Sequence, residues 1–292
     1  MLGGFGFLAV TVAAPALIVQ VAPPRVRDRA FAIWATFMPV GITGVLLAAP
    51  LLSEIGCRGF WTLNAVLLVG YAVLVRLWTP PPPSNATARR SIWDDIRQII
   101  AAGGPWILAG LFAAFSASFF AVFGFLPLLL VDQLAISAEI GSVLTALAVL
   151  ASASGNLVCG QLLAWGLRPW RILLASFCLL ALCGFGIFQT TVPGGFAYGL
   201  CMVFSFVGGF IPVVLIDGAP RHAPRPELVG AAMGFVMQGN NVGLVLGPAM
   251  AGAIAGAAGG PAVSFLVAAM AVVAALLDLL FRARPAEQAL AS

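Results

Sequence analysis

The position of the cations constrains this chain more than any other feature. It has no lysine and 14 arginines, and thirteen of those arginines sit in five of the polar breaks between long apolar stretches. Arg25, Arg27 and Arg29 share one break, and Arg76, Arg89, Arg90 and Arg97 the next. Arg168 with Arg171, Arg221 with Arg225, and Arg282 with Arg284 fill three more. These five alternate with four breaks that carry only Arg58. Short loops keep positive charge on the cytoplasmic side of a membrane, so the alternation defines both spans and orientation. Composition agrees: 62% of residues are hydrophobic and 8% charged, against roughly 25% charged in a soluble domain. The net charge of +4 is the sum of this loop bias and implies no nucleic-acid partner.

A helix needs about 20 apolar residues to cross the hydrocarbon layer. Nine stretches qualify, at 2–22, 30–52, 59–78, 105–131, 138–165, 169–190, 193–216, 228–256 and 262–281. They are apolar all round, which excludes the alternating pattern of barrel strands. The expected fold is an all-α integral membrane protein with its amino terminus outside and its carboxyl terminus cytoplasmic. The first stretch lacks a basic flank and reads as a true span, not a cleaved leader. The absence of lysine and the wealth of Ala, Gly, Pro and Arg point to a GC-rich bacterial source, hence an inner membrane.

Residues 79–104 form a different kind of break. Pro80 to Pro83 make an extended spacer. Ser91 followed by Asp94 and Asp95 then opens a short helix, with acid against the positive end of its dipole. Ile92, Trp93, Ile96, Ile99 and Ile100 share one face, as expected of a helix lying along the inner membrane surface. The organisation is therefore 1–78 with three spans, a cytoplasmic linker at 79–104, six spans in 105–284, and a tail at 285–292. The two spanning parts repeat each other at a shift of 198 positions. The shift pairs Leu17 with Leu215, Ile18 with Ile216, Arg27 with Arg225, Phe37 with Phe235, Gly41 with Gly239, Leu46 with Leu244 and Pro50 with Pro248. Parallel repeats about an axis normal to the membrane are a transporter architecture.

Gly3-Gly4-Phe5-Gly6-Phe7, the run Ala22–Ala30, Ala49-Pro50, Arg58-Gly59-Phe60-Trp61 and Gly247-Pro248 together resemble the major facilitator superfamily. The resemblance covers the whole chain. It implies two six-helix halves joined by a cytoplasmic loop, a small-molecule substrate, and alternating access around a midplane site. The nine spans align with the family's fourth to twelfth helices, so the amino-terminal half is expected to lack its first three. Ala164 stands where an aspartate is usual in the second-half copy of the family's loop motif, at 160–168. A truncated, non-transporting membrane protein, a gene fragment or an assembly partner, is the alternative.

Polar side chains at membrane depth are costly unless they face protein or a water-filled cavity. The densest cluster is Gln238-Gly239-Asn240-Asn241. Gly239, Gly243 and Gly247 form a small-residue seam for close helix contact, and Pro248 bends the helix beyond it. Gln238 and Asn241 project opposite the seam and are the first candidates for substrate binding. Asn240, beside the seam, is expected to bond a neighbouring helix. Interhelical bonding, at about 0.6 kcal/mol per bond, is the competing reading for the amides. By the resemblance, span 105–131 is a cavity-lining helix, which adds Ser116 and Phe119 as candidates beside Phe115, Ser118 and Phe123. Asn156 is a further candidate on the next span.

No Asp, Glu, His or Arg falls at the centre of a span. Asp217 and the other acids lie near span ends, where snorkelling accounts for them. A proton as coupling ion would then use residues of the three helices expected to be missing, or the chain is a facilitator for a neutral or amphipathic solute. His222 reads as a solvated loop residue. The five cysteines have no metal-ligand spacing, no glycine cluster has the form of a phosphate loop, and the chain is not read as an enzyme. No metal or cofactor is expected; the partners are a small molecule and the lipid bilayer.

Overall fold

The computed structural model describes residues 2–78, 92–126, 130, 131, 134, 136–189 and 191–283. The Pro80–Pro83 spacer, Ser91, Arg284 and the 285–292 tail lie outside them. Every regular element among the described residues is helical. In chain order these are α1 (Leu2–Val21), α2 (Pro24–Ala35), α3 (Phe37–Trp78) and α4 (Ile92–Ala102). There follow α5 (Gly104–Phe123), α6 (Ala138–Ala164), α7 (Pro169–Ile187), α8 (Gly194–Gly208), α9 (Phe210–Arg221), α10 (Val229–Ala258) and α11 (Val263–Ala283). Among the described residues, eight helical stretches are long and apolar enough to cross a membrane, from Arg25–Ala48 to Gly260–Leu277. They are preceded by α1, which is 20 residues long and carries no charge.

The helix starts follow local chemistry. Pro24 and Pro169 sit in the first turns of α2 and α7, where the missing N–H has no partner to lose. Ser137 caps α6 by accepting the Ile140 N–H at 3.3 Å. Asp94 and Asp95 occupy the first turn of α4.

The helices depart from the apolar stretches in three places, because hydropathy marks the greasy length and not where the backbone stops coiling. The stretch at 30–52 begins in α2 and, beyond Thr36, is joined to that at 59–78 in a single 42-residue element, α3, with Gly56 as its corner at φ 65° and ψ 174°. A side chain at that φ would be strained. The stretch at 193–216 is two helices, α8 and α9, meeting at Gly209 and continuing to Arg221. Helix α5 ends at Phe123, where Gly124 and Phe125 turn the chain. Pro248 lies inside α10 without ending it.

In the six-helix part, α5 packs along α10, α11 lies against α7 and α5, and α8 lies between α6 and α7. Two small-residue seams make this possible. On α10, a Cβ at Gly239 would lie 2.0 Å from the Ala109 carbonyl oxygen; at Gly243 and Gly247 it would lie 2.3 Å from those of Ala113 and Ala117. Between α6 and the α8–α9 junction the contact is reciprocal. A Cβ at Gly155 would meet the Phe206 oxygen at 1.9 Å, and one at Gly209 the Ser152 oxygen at 2.2 Å. Only glycine permits backbones this close, and close approach is what joins helices where lipid removes the hydrophobic drive.

The amino-terminal part docks on the same bundle: α2 and the first half of α3 lie on α6, and α1 lies on α10. A Cβ at Gly160 on α6 would come 2.4 Å from Ala32 Cβ on α2. Buried Thr43 on α3 donates to the Ala146 carbonyl of α6 at 3.1 Å. The second half of α3 makes no comparable contact; none of its best spanning window, within Glu54–Trp78, is buried.

Candidate substrate cavity

A cavity lies where the two parts meet, with about 720 Å³ of space including its open mouth. One wall comes from α1, α2 and α3, through Thr11, Trp34, Ala35, Phe37, Met38, Pro39 and Ile42. The opposite wall comes from α5, α6, α9 and α10. It presents Phe112, Phe115, Phe119 and Phe120 from α5, with Val149, Ser152 and Asn156 from α6. Pro212 and Ile216 from α9, and Met237, Asn240 and Asn241 from α10, complete it.

Of the residues singled out in the sequence, the structure brings Phe115, Phe119, Asn156, Asn240 and Asn241 to this cavity. Asn156 is 1% exposed, and its Oδ1 is buried without a hydrogen-bond partner. Asn240 is buried and accepts at Oδ1 from Ser116 Oγ, 2.5 Å away on α5. Ser116 thus reaches the cavity only through Asn240, which both joins two helices and lines the space. Ser118 turns back on its own helix, donating to the Ala114 carbonyl at 2.9 Å.

Gln238 is placed elsewhere. It is exposed and absent from the lining. A helix turns about 100° per residue, so Met237, Asn240 and Asn241 share an arc of about 100°, while Gln238 falls about 60° beyond Asn241. The expectation that Gln238 and Asn241 face one space is corrected accordingly. The wall from α1 to α3 was not anticipated either. Trp34, Met38 and Ile42 carry no signal that separates them from lipid-facing side chains.

One end of the bundle gathers charge. Arg221, at the end of α9, bonds Asp217 at 2.7 Å and lies 3.6 Å from Asp28 on α2. Asp217 is 3% exposed, so it is neither snorkelling nor at a headgroup. Its position near a helix end is overridden by α2, which packs over it. Arg27 donates to the Val19 and Ala22 carbonyls at 3.0 and 3.4 Å, satisfying the last turn of α1. Arg225 bonds Gln98 of α4. His222 is half-buried, with Nδ1 2.8 Å from the Gly218 carbonyl oxygen and its ring against Gly104, which corrects its reading as a solvated residue. The breaks holding Arg25–Arg29 and Arg221–Arg225, together with α4, therefore meet at a single end. No group of three His, Cys, Asp or Glu suited to a metal occurs among the described residues.

The family described as the Major Facilitator Superfamily matches residues 1–236. No curated protein matches the sequence. Among solved structures, the chain is similar to the Major Facilitator Superfamily transporter FucP in the outward conformation. The TM-score is 0.71 at 13% identity, covering 93% of this chain and 72% of that one. At that identity the likeness is one of fold.

Proposed function

The chain belongs to the Major Facilitator Superfamily, a family of membrane transporters, and on that premise we propose that it carries a small molecule by alternating access around the cavity between its two parts. One observation supports this reading above the others: the lining is divided between α1–α3 and the six-helix part, so relative rocking of the two would open it to either side. Asn156, Asn241 and Phe119 are the proposed substrate contacts, Ser116 and Asn240 hold the polar edge, and Gly239, Gly243 and Gly247 keep that wall rigid.

By the arginine bias, the end carrying Arg25, Arg221 and Arg225 faces the cytoplasm, with α1 entering from outside, in a bacterial inner membrane. A proton is the coupling ion this reading admits. Reconstitution of the full chain in liposomes tests the proposal. Saturable counterflow that falls in Asn241→Leu at equal protein incorporation supports transport. Folded protein without flux of any solute in a broad panel would favour the non-transporting alternative. Solute accumulation that follows an imposed pH gradient would establish coupling.

A further inference from the structure

Within the cavity, chemistry is sorted in a way that selects a ligand class. None of the lining residues carries a charge. The nearest carboxylate follows Ile216 in the chain, but it belongs to Asp217, and Arg221 already neutralises it at 2.7 Å. An ion entering this space would lose its hydration and find no counter-charge. Such burial is unfavourable unless the charge is paired.

Hydrogen-bonding capacity, by contrast, is left over. Asn156 is almost wholly buried, and its Oδ1 has no partner. Gly209 packs close beside it: a Cβ there would stand 3.1 Å from that oxygen and 2.2 Å from the Ser152 carbonyl oxygen. Asn241 and Ser152 line the space and make no side-chain hydrogen bond to the described protein. Asn240 uses its oxygen on Ser116, which leaves its NH₂. A buried amide without a partner is costly, so these groups favour a ligand that supplies hydroxyl or amide partners. The rest of the surface is aromatic and aliphatic. Phe115 and Phe119 are 5.5 Å apart at their ring centroids, and both line the cavity opposite Trp34 and Phe37.

We propose that the cavity takes an uncharged amphipathic molecule, with a ring-like apolar body against the phenylalanines and hydroxyl or amide groups on Asn156 and Asn241. This rests on the transport reading of the same cavity and narrows it to a substrate class.

The test is equilibrium dialysis with the full chain in lipid nanodiscs, using two matched triplets. One is phenyl glucoside, its glucuronide and its 6-amino-6-deoxy derivative. The other is phenylacetamide, phenylacetate and phenethylamine. In at least one triplet the neutral member is expected to bind at least tenfold more tightly than both ions. Asn156→Leu and Asn241→Leu are expected to weaken it about tenfold. Asn241→Asp, at a half-buried position, is expected to turn the preference toward the ammonium member. Thermal stability is measured on each variant, so that a fold defect is separated from lost recognition. Equal binding of neutral and anionic members, displaced by the same variants, overturns the class while leaving the cavity as the transport site. Binding of no member, or binding indifferent to Asn156 and Asn241, overturns the proposal; saturable flux of some other solute would then show whether transport itself survives.

Discussion

Helix α5 and the second half of α3 are both apolar enough to span a bilayer, yet 72% of the spanning window in α5 is buried and none of that in Glu54–Trp78 is. Hydropathy does not distinguish them. What does is the spacing of small residues on the partner. Gly239, Gly243 and Gly247 recur every four positions on α10 and fit against the carbonyls of Ala109, Ala113 and Ala117, which recur at the same interval on α5. In the second half of α3, a Cβ at Gly56 or Gly70 would meet nothing within 4 Å, and one at Gly59 would meet only Ile55 of the same helix. Between these two regions, burial follows the glycine period and not greasiness, because within lipid the apolar surface gains little from touching another helix.

That contrast can be broken experimentally. Gly239→Ala is expected to have the largest effect, destabilising the protein by about 3 kcal/mol, since its Cβ would collide with a backbone carbonyl that cannot rotate away. Thermal unfolding in detergent and the amount of folded protein in membranes would register it. Arg221→Ala should cost about 2 kcal/mol, less than a fully buried pair because the guanidinium is half-exposed. Asp28→Asn, which removes only the longer contact, should cost under about 1 kcal/mol by the same measurement. Ser116→Ala should cost about 1 kcal/mol and leave Asn240 without its donor. Gly70→Ala sits at the bottom of the series, within about 0.5 kcal/mol of wild type. If Gly70→Ala proved as damaging as Gly239→Ala, the distinction between the two regions would fail.

Much of this was legible in the chain. The arginine breaks, the apolar lengths and the repeat at 198 positions anticipated an all-helical membrane fold of the matched family, and the seam on α10 was readable from its glycine period. Helix bounds were less so, because an apolar count cannot see a corner such as Gly56 or a junction such as Gly209. For the candidate cavity, the polarity of Asn156, Asn240 and Asn241 marks them in the sequence, but the helical wheel assigns Asn240 to a helix contact and not to the cavity wall that it also lines. Gln238 drew the same notice and lies outside the cavity, since a wheel drawn for one helix does not say which arc its neighbours leave open. Trp34, Met38 and Ile42 could not be found that way. Asp217 was misplaced for a related reason: depth along a helix says little when another helix covers its end.

The unequal reach of Arg221 has a mechanical consequence. Its tighter bond, to Asp217, lies within α9, and its looser one, to Asp28, crosses to α2. Parting α2 from α9 would break only the looser contact and release Asp28, which already touches water. The hidden carboxylate would keep its guanidinium throughout the movement. If the two parts rock as proposed, the hinge line would run beside a charge that never has to be bared, and they would separate at low electrostatic cost and return to the same register.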